Sequence, residues 1–127
     1  MTRTRRLTLL YSAARAGFGL ALLGPPSWAA ERWIGRDAAW RPVAVAMRGL
    51  AVRDLTVALG AIDALRRDKT VAPWLVAASA CDLADIAISL ASGDSLPGRA
   101  RWGTPVLAGA SAVVGAGLAV GENSATR

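Results

Sequence analysis

Apolar residues run along this chain in four helix-length stretches, separated by short segments that hold most of its charge. The first, residues 7–23, follows the basic arm Arg3, Arg5 and Arg6 and stops at Gly24-Pro25-Pro26. Proline has no backbone N–H and collides with the preceding turn, so this pair terminates a helix. The second, residues 43–65, opens behind Pro42, in the favoured first-turn place, and closes at Arg66-Arg67-Asp68-Lys69. The third, residues 71–92, has Pro73 in its opening turn and Gly93 as its stop. The fourth, residues 104–121, opens on Thr104-Pro105 as N-cap and first-turn proline and is free of charge to Gly121. At about 1.5 Å per residue, about 18 residues reach roughly 27 Å, close to the thickness of a bilayer core. The pattern predicts an all-α chain, a four-helix transmembrane bundle forming a single integral membrane domain over residues 1–127.

The connection between the first two helices places Trp28, Trp33 and Trp40 among Arg32, Arg36, Asp37 and Arg41. Trp33 and Trp40 are seven apart and would share a face on a helix, which predicts a short amphipathic segment lying at head-group level. Trp28, Trp40, Trp74 and Trp102 each fall near a span end, as an aromatic belt would place them. Four spans put Arg3, Arg5, Arg6, Arg66, Arg67, Lys69 and Arg127 on one side, with Arg32, Arg36, Arg41, Arg99 and Arg101 on the other. The positive-inside rule then predicts a multi-pass protein of the plasma membrane with both termini in the cytoplasm. The basic start, the core Ala16–Leu23 and Ser27-Trp28-Ala29-Ala30 imitate a secretory signal, and Arg5-Arg6 hints at a twin-arginine one. The uninterrupted core is short and Trp28 is bulky where small residues are wanted, so the segment is expected to stay as a first span.

Composition agrees. The chain is 54% hydrophobic and 19% charged, against about 45–50% and about 25% for soluble domains. Its net charge of +6 is almost all arginine. Those arginines flank apolar runs instead of clustering with stacking residues on one face, so lipid head groups are the expected partner and nucleic acid is not. The absence of histidine excludes His metal sites, His general bases and His-containing triads. Lone Cys81 reads as a small packing residue, and neither a metal nor another cofactor is expected.

The chemistry lies in ionised residues deep within the apolar stretches: Arg15 in the first, Arg48, Arg53 and Asp54 in the second, Asp82 and Asp85 in the third. An unpaired charge at mid-bilayer costs about 2.5–3.5 kcal/mol on insertion scales, so such residues face inward and pair. Helical spacing gathers Thr8, Ser12, Arg15 and Gly19 on one face, and Ala78, Asp82, Asp85, Ser89 and Ser92 on another. On the second helix Gly49, Arg53, Thr56, Gly60 and Asp63 fall in line, with Arg48 and Asp54 off that line. The fourth helix offers small residues only, among them Ala108, Ala112, Gly115, Ala119 and a Gly117-x-x-x-Gly121 pair that is a weak dimerisation signal. Arg53 is expected to pair with Asp82 or Asp85, and Arg15 with the remaining carboxylate or Asp54. Three arginines against three aspartates would balance. Asp63, near its helix end, is expected to reach water or Arg66.

Arg15-Ala16 with Gly19 and Leu22-Leu23, then Arg48-Gly49-Leu50-x-x-Arg53-Asp54 with Gly60, then Trp74-Leu75 and Asp82-x-x-Asp85 carry a resemblance over roughly residues 5–120. The chain resembles a family of small, uncharacterised integral membrane proteins with four predicted spans, common in high-GC bacteria. The resemblance implies a fold and a location and no activity. Three readings of the interior stay open. The charge network can be structural, in a protein acting with a membrane partner or as a homodimer. It can line a binding or permeation site in which Arg15 and Arg53 receive a lipid or small anionic ligand. Or Asp82 and Asp85 can serve a small membrane enzyme as an acid–base pair or Mg²⁺ ligands.

Overall fold

Caps and turn residues set where each helix begins and ends. A computed structural model of the chain describes residues 2–24 and 28–125 and is all-helical, with five α-helices and two short 3-10 turns among the described residues. Thr2 caps α1 (Arg3–Leu23), its hydroxyl accepting the Arg5 N–H at 3.2 Å, so the basic arm is itself helical. Gly24 is the C-cap; the stop assigned to Pro25-Pro26 lies outside the described residues.

The connection folds as α2 (Trp28–Ile34) and a 3-10 turn (Gly35–Ala39). Gly35 takes a φ of +81°, which only glycine adopts cheaply, and this break overturns the expected Trp33/Trp40 face. Trp33 turns inward, its indole N–H donating to Thr104 Oγ at 3.0 Å, while Trp40 is left exposed. The Trp28 side chain lies outside the described part. Helix α3 (Arg41–Arg66) has Pro42 in its first turn and closes through Asp68 at φ +51°, with the Lys69 N–H donating to the Ala64 carbonyl at 2.8 Å. Helix α4 (Ala72–Ala91) starts with Pro73 in its first turn, and Gly93 at φ +53° turns the chain after it.

Helix α5 (Gly98–Ala125) departs furthest from expectation. It starts six residues before Thr104, because the Pro97 carbonyl already accepts the Ala100 and Arg101 N–H groups at 2.8 and 2.9 Å. Thr104 is therefore no N-cap, and Pro105 sits inside the helix, where it cannot donate to the Arg101 carbonyl.

Helix α1 packs along α3, and α4 along α5; α3 meets α4, and α1 meets α5, over far shorter stretches. The inner faces of α1 and α5 follow the expected stripes, with Thr8, Ser12, Arg15 and Gly19 buried on α1 and Ala108, Ala112, Gly115 and Ala119 on α5. On α4, Ala78, Asp82 and Ser89 are buried and Asp85 and Ser92 half-buried. The expected α3 stripe is rotated. Ala51, Asp54, Ala58, Ala61 and Ala64 are buried, whereas Gly49, Thr56 and Asp63 are exposed, and Asp63 pairs with Arg67 at 2.8 Å instead of Arg66. Alanine packs as closely as glycine or serine and costs nothing to bury, so the alanine line wins the interface. Gly117 faces open space, while a Cβ on Gly121 would lie 3.2 Å from the Thr4 methyl, so the two glycines do not share a contact.

Outward, the pattern reverses. Leu10, Val45, Val106, Val113 and Val120 each expose two-thirds or more of their surface, about 66–73%, while threonine, serine and aspartate are buried. By length and composition, α4 and residues Gly98–Ser124 of α5 can cross a membrane, each with a mean hydropathy of 1.6.

A Cβ on Gly19 would lie 3.0 Å from the Ala51 carbonyl oxygen and 2.9 Å from Leu55 Cγ. The atoms nearest to one on Gly60, at 2.5–2.6 Å, are on the outer edge of the Trp74 ring, an exposed side chain and not backbone. Overpacking against backbone costs about 1–3 kcal/mol, and alanine recovers about 1 kcal/mol of helix propensity over glycine. Gly19→Ala is expected to melt below wild type and below Gly60→Ala in the purified protein. The opposite order would show that the α1–α3 contact yields more easily than its geometry implies.

Candidate functional site

Five of the six interior charges meet where the helix pairs face each other. Arg15, one turn beyond Tyr11 on the inner face of α1, sets its guanidinium across the Asp82 carboxylate: Nη1 donates to Oδ2 at 3.0 Å and Nη2 to Oδ1 at 2.8 Å. The same Nη2 donates to Asp54 Oδ1 at 3.0 Å, so this arginine binds α3 and α4 at once. Arg53 repeats the arrangement one turn along, with Nη1 and Nη2 donating to Asp85 Oδ1 and Oδ2 at 2.8 and 2.7 Å. Its Nε and Nη2 also donate to Asp54 Oδ1, at 3.3 and 3.1 Å. Paired N–H donors match the spacing of carboxylate oxygens, which makes these forks both strong and directional.

The two forks differ in burial. The Arg15 and Asp82 side chains are each 7% exposed and Asp54 5%, against 29% for Arg53 and 21% for Asp85. Asp54 Oδ1 is the hub, accepting from both arginines, whereas its Oδ2 takes part in none of these bonds. Arg15 Nε and Ser12 Oγ are sealed from water, with no hydrogen-bond partner among the described residues.

Of the alternatives left open, Arg53 takes Asp85 and not Asp82, and Arg15 takes both the remaining carboxylate, Asp82, and Asp54. Arg48 stands apart, exposed on α3, where it lines a smaller hollow of about 360 Å³ beside α2. Asp54 is buried six positions after Arg48, and at about 100° per residue that spacing turns Arg48 away from the inner face. The network therefore does not balance. Two guanidinium groups against three carboxylates sum to a formal charge of −1.

Three participants were not singled out from the sequence. Tyr11 Oη accepts from Arg15 Nη1 at 3.3 Å and lies 3.1 Å from Ser111 Oγ, joining α1 to α5. Glu122 is buried and accepts the Thr8 hydroxyl at 3.2 Å. Each signal was present: Tyr11 lies four residues before Arg15, and Glu122 continues the Ala108, Ala112, Gly115, Ala119 series at a spacing of three.

On the α2 side of the network the helices diverge around a cavity of about 590 Å³. Asp54, Asp82, Asp85, Arg15, Tyr11 and Ser111 form its polar floor, and Phe18, Leu50, Leu107 and Val114 are among its apolar walls. Trp33 of α2 closes the far end. On the opposite side the interior is filled, with Ala61, Ala64, Leu65, Val71, Leu75 and Ala119 in one contiguous core. All four oxygens of Asp82 and Asp85 accept guanidinium N–H groups, and among the described residues no group of three or more His, Cys, Asp or Glu side chains is arranged to hold a metal ion.

Removing one partner of a buried pair costs about 3–5 kcal/mol, and loss of the Asp82 carboxylate would leave Arg15 with the single Asp54 Oδ1 contact in place of its fork. Asp82→Asn is expected to lower the melting temperature most, Asp85→Asn less because its pair is partly exposed, and Arg48→Gln negligibly. Exchanging Arg53→Asp with Asp85→Arg should recover part of the loss that either change causes alone. Equal melting of Asp82→Asn and Arg48→Gln would contradict the assigned network. No family model matches this chain, and no curated protein or solved structure matches it, so the reading of the site rests on its geometry.

Proposed function

We propose that the chain is a small multi-pass protein of the plasma membrane. In this reading α1, α3, α4 and α5 form a four-helix transmembrane bundle, α2 lies at the interface, and the Arg/Asp network both holds the helices together and lines a ligand site. The observation that carries it is the inverted polarity. Large aliphatic side chains cover the outside while alanine, serine, threonine and a charge cluster fill the inside. In water that arrangement would forgo the hydrophobic driving force, since little apolar area leaves the solvent. In lipid the outer residues match their solvent, and small or polar inner faces are what allows helices to associate.

Two helices qualify as spans on hydropathy alone. The other two, α1 and α3, hold charges whose pairing removes the main objection to their insertion, because paired charges facing the interior are tolerated. The surplus of Arg and Lys on the side of the N-terminal arm and the Arg66–Lys69 turn supports cytoplasmic termini. A ligand role draws support from the cavity, whose volume and apolar walls with a few convergent polar groups match small-molecule sites. The sites of that ligand are Arg15, Asp54, Asp82 and Asp85, with Arg53 behind them.

Alkaline carbonate treatment of membranes is expected to leave the protein in the pellet, and reporter fusions after residues 24, 69 and 95 should alternate between outside, inside and outside. Release into the supernatant would defeat the membrane reading. Reporters that do not alternate would defeat the four-span topology while leaving the two apolar spans.

A further inference from the structure

We propose that the cavity binds a lipophilic organic cation, an apolar body bearing one positive charge, with that charge held beside Asp54. This rests on the membrane and ligand-site reading above and names the ligand class. Charge is the first argument. The network is one positive charge short of neutral, and Arg53 stands outside the cavity lining while Asp54, Asp82 and Asp85 all reach it. In a low-dielectric setting an uncompensated charge is costly, and an opposite charge brought to it is worth far more than in water.

Donor and acceptor geometry is the second. An anion would need guanidinium donors, but both forks are already spanned by carboxylates, and the donor left over, Arg15 Nε, is sealed from the space a ligand could enter. What the floor offers instead is an acceptor. The Asp54 side chain is 95% buried, its Oδ1 holds both arginines, and its Oδ2 accepts no hydrogen bond among the described residues. The third argument is shape. The walls are aliphatic and aromatic, and Phe18 on α1 with Leu107 and Val114 on α5 line the cavity and are exposed. The hydrogen bonds between α1 and α5, Tyr11 with Ser111 and Thr8 with Glu122, lie at or below the floor. Above it α1 and α5 line the cavity mainly with apolar side chains, Phe18, Leu22, Leu107 and Val114 among them, which would give an apolar molecule dissolved in lipid a sideways route to the floor.

Asp54→Asn separates charge from architecture. It brings the network to formal neutrality while both bidentate forks, Arg15 on Asp82 and Arg53 on Asp85, remain. The probes are tetraphenylphosphonium and tetraphenylborate, ions of the same shape and opposite charge. Binding is measured by equilibrium dialysis of the full chain in detergent against micelles without protein. Tetraphenylphosphonium is expected to bind saturably and at least about tenfold more tightly than tetraphenylborate, with Asp54→Asn erasing that preference. Leu107→Trp, which narrows the cavity and alters no charge, should weaken both ions together. Equal binding of the two ions, tighter borate, or an unchanged preference in folded Asp54→Asn would overturn the proposal. Should Asp54→Asn fail to fold, the wild-type preference and its response to Leu107→Trp decide. Carbonate-resistant protein that shows no cation preference defeats this inference alone, whereas carbonate-released protein defeats the reading beneath it.

Discussion

The Arg15 guanidinium is the constraint on which the rest of the structure depends. Within each helix pair, α1 with α3 and α4 with α5, small side chains let backbones approach closely. Between the pairs the apolar core fills only one half of the interior, and at mid-helix the connection is made by Arg15 to Asp82 and by Arg53 to Asp85, with Asp54 tying the two arginines together. A buried ion pair is a weak source of net stability compared with well-packed apolar residues, yet losing one member is severe. Its contribution here is direction. Alanine faces can slide past one another at low cost, whereas a two-pronged fork accepts one register.

That network also divides the interior into a packed half and a hollow half. Toward the termini, Leu65, Val71 and Leu75 fill the space between helices, and Thr8 with Glu122 and Arg5 with the Leu65 carbonyl and Asp68 draw the elements together. Beyond Arg15, in the direction of α2, the inner residues leave about 590 Å³ unfilled. A bundle optimised for stability alone would bring the helices together over such a cleft, since side chains that line it forfeit dispersion contacts. The orphaned Arg15 Nε and Ser12 Oγ point the same way: the polar atoms around the network are not all satisfied.

Much of this was legible in the sequence, and the misses share one cause. The helices and most of their stops follow from local chemistry: Pro42 and Pro73 in first turns, Gly93 in the left-handed region, and apolar runs of helical length. The faces of α1 and α5 were readable because a stripe of small or polar residues stands out against leucine and valine. On α3 the same reasoning chose the wrong line, because it ranked glycine and threonine above alanine as interface formers. The start of α5 was misplaced because Thr104-Pro105 has the local form of a helix N-terminus, while the Pro97 turn upstream had already nucleated the helix.

The sequence by itself determined that arginines and aspartates lie within apolar helices and must find one another, because each isolated charge is too costly to leave unpaired. Which ones meet was decided only in three dimensions. Rotation of α3 by its alanine line brings Asp54 to the centre and leaves Arg48 outside, so the apparent balance of three against three becomes two against three. That excess negative charge and the hollow above it depend on how whole helices are rotated and spaced. Those quantities are set by the sum of contacts along each interface, and no short motif encodes them.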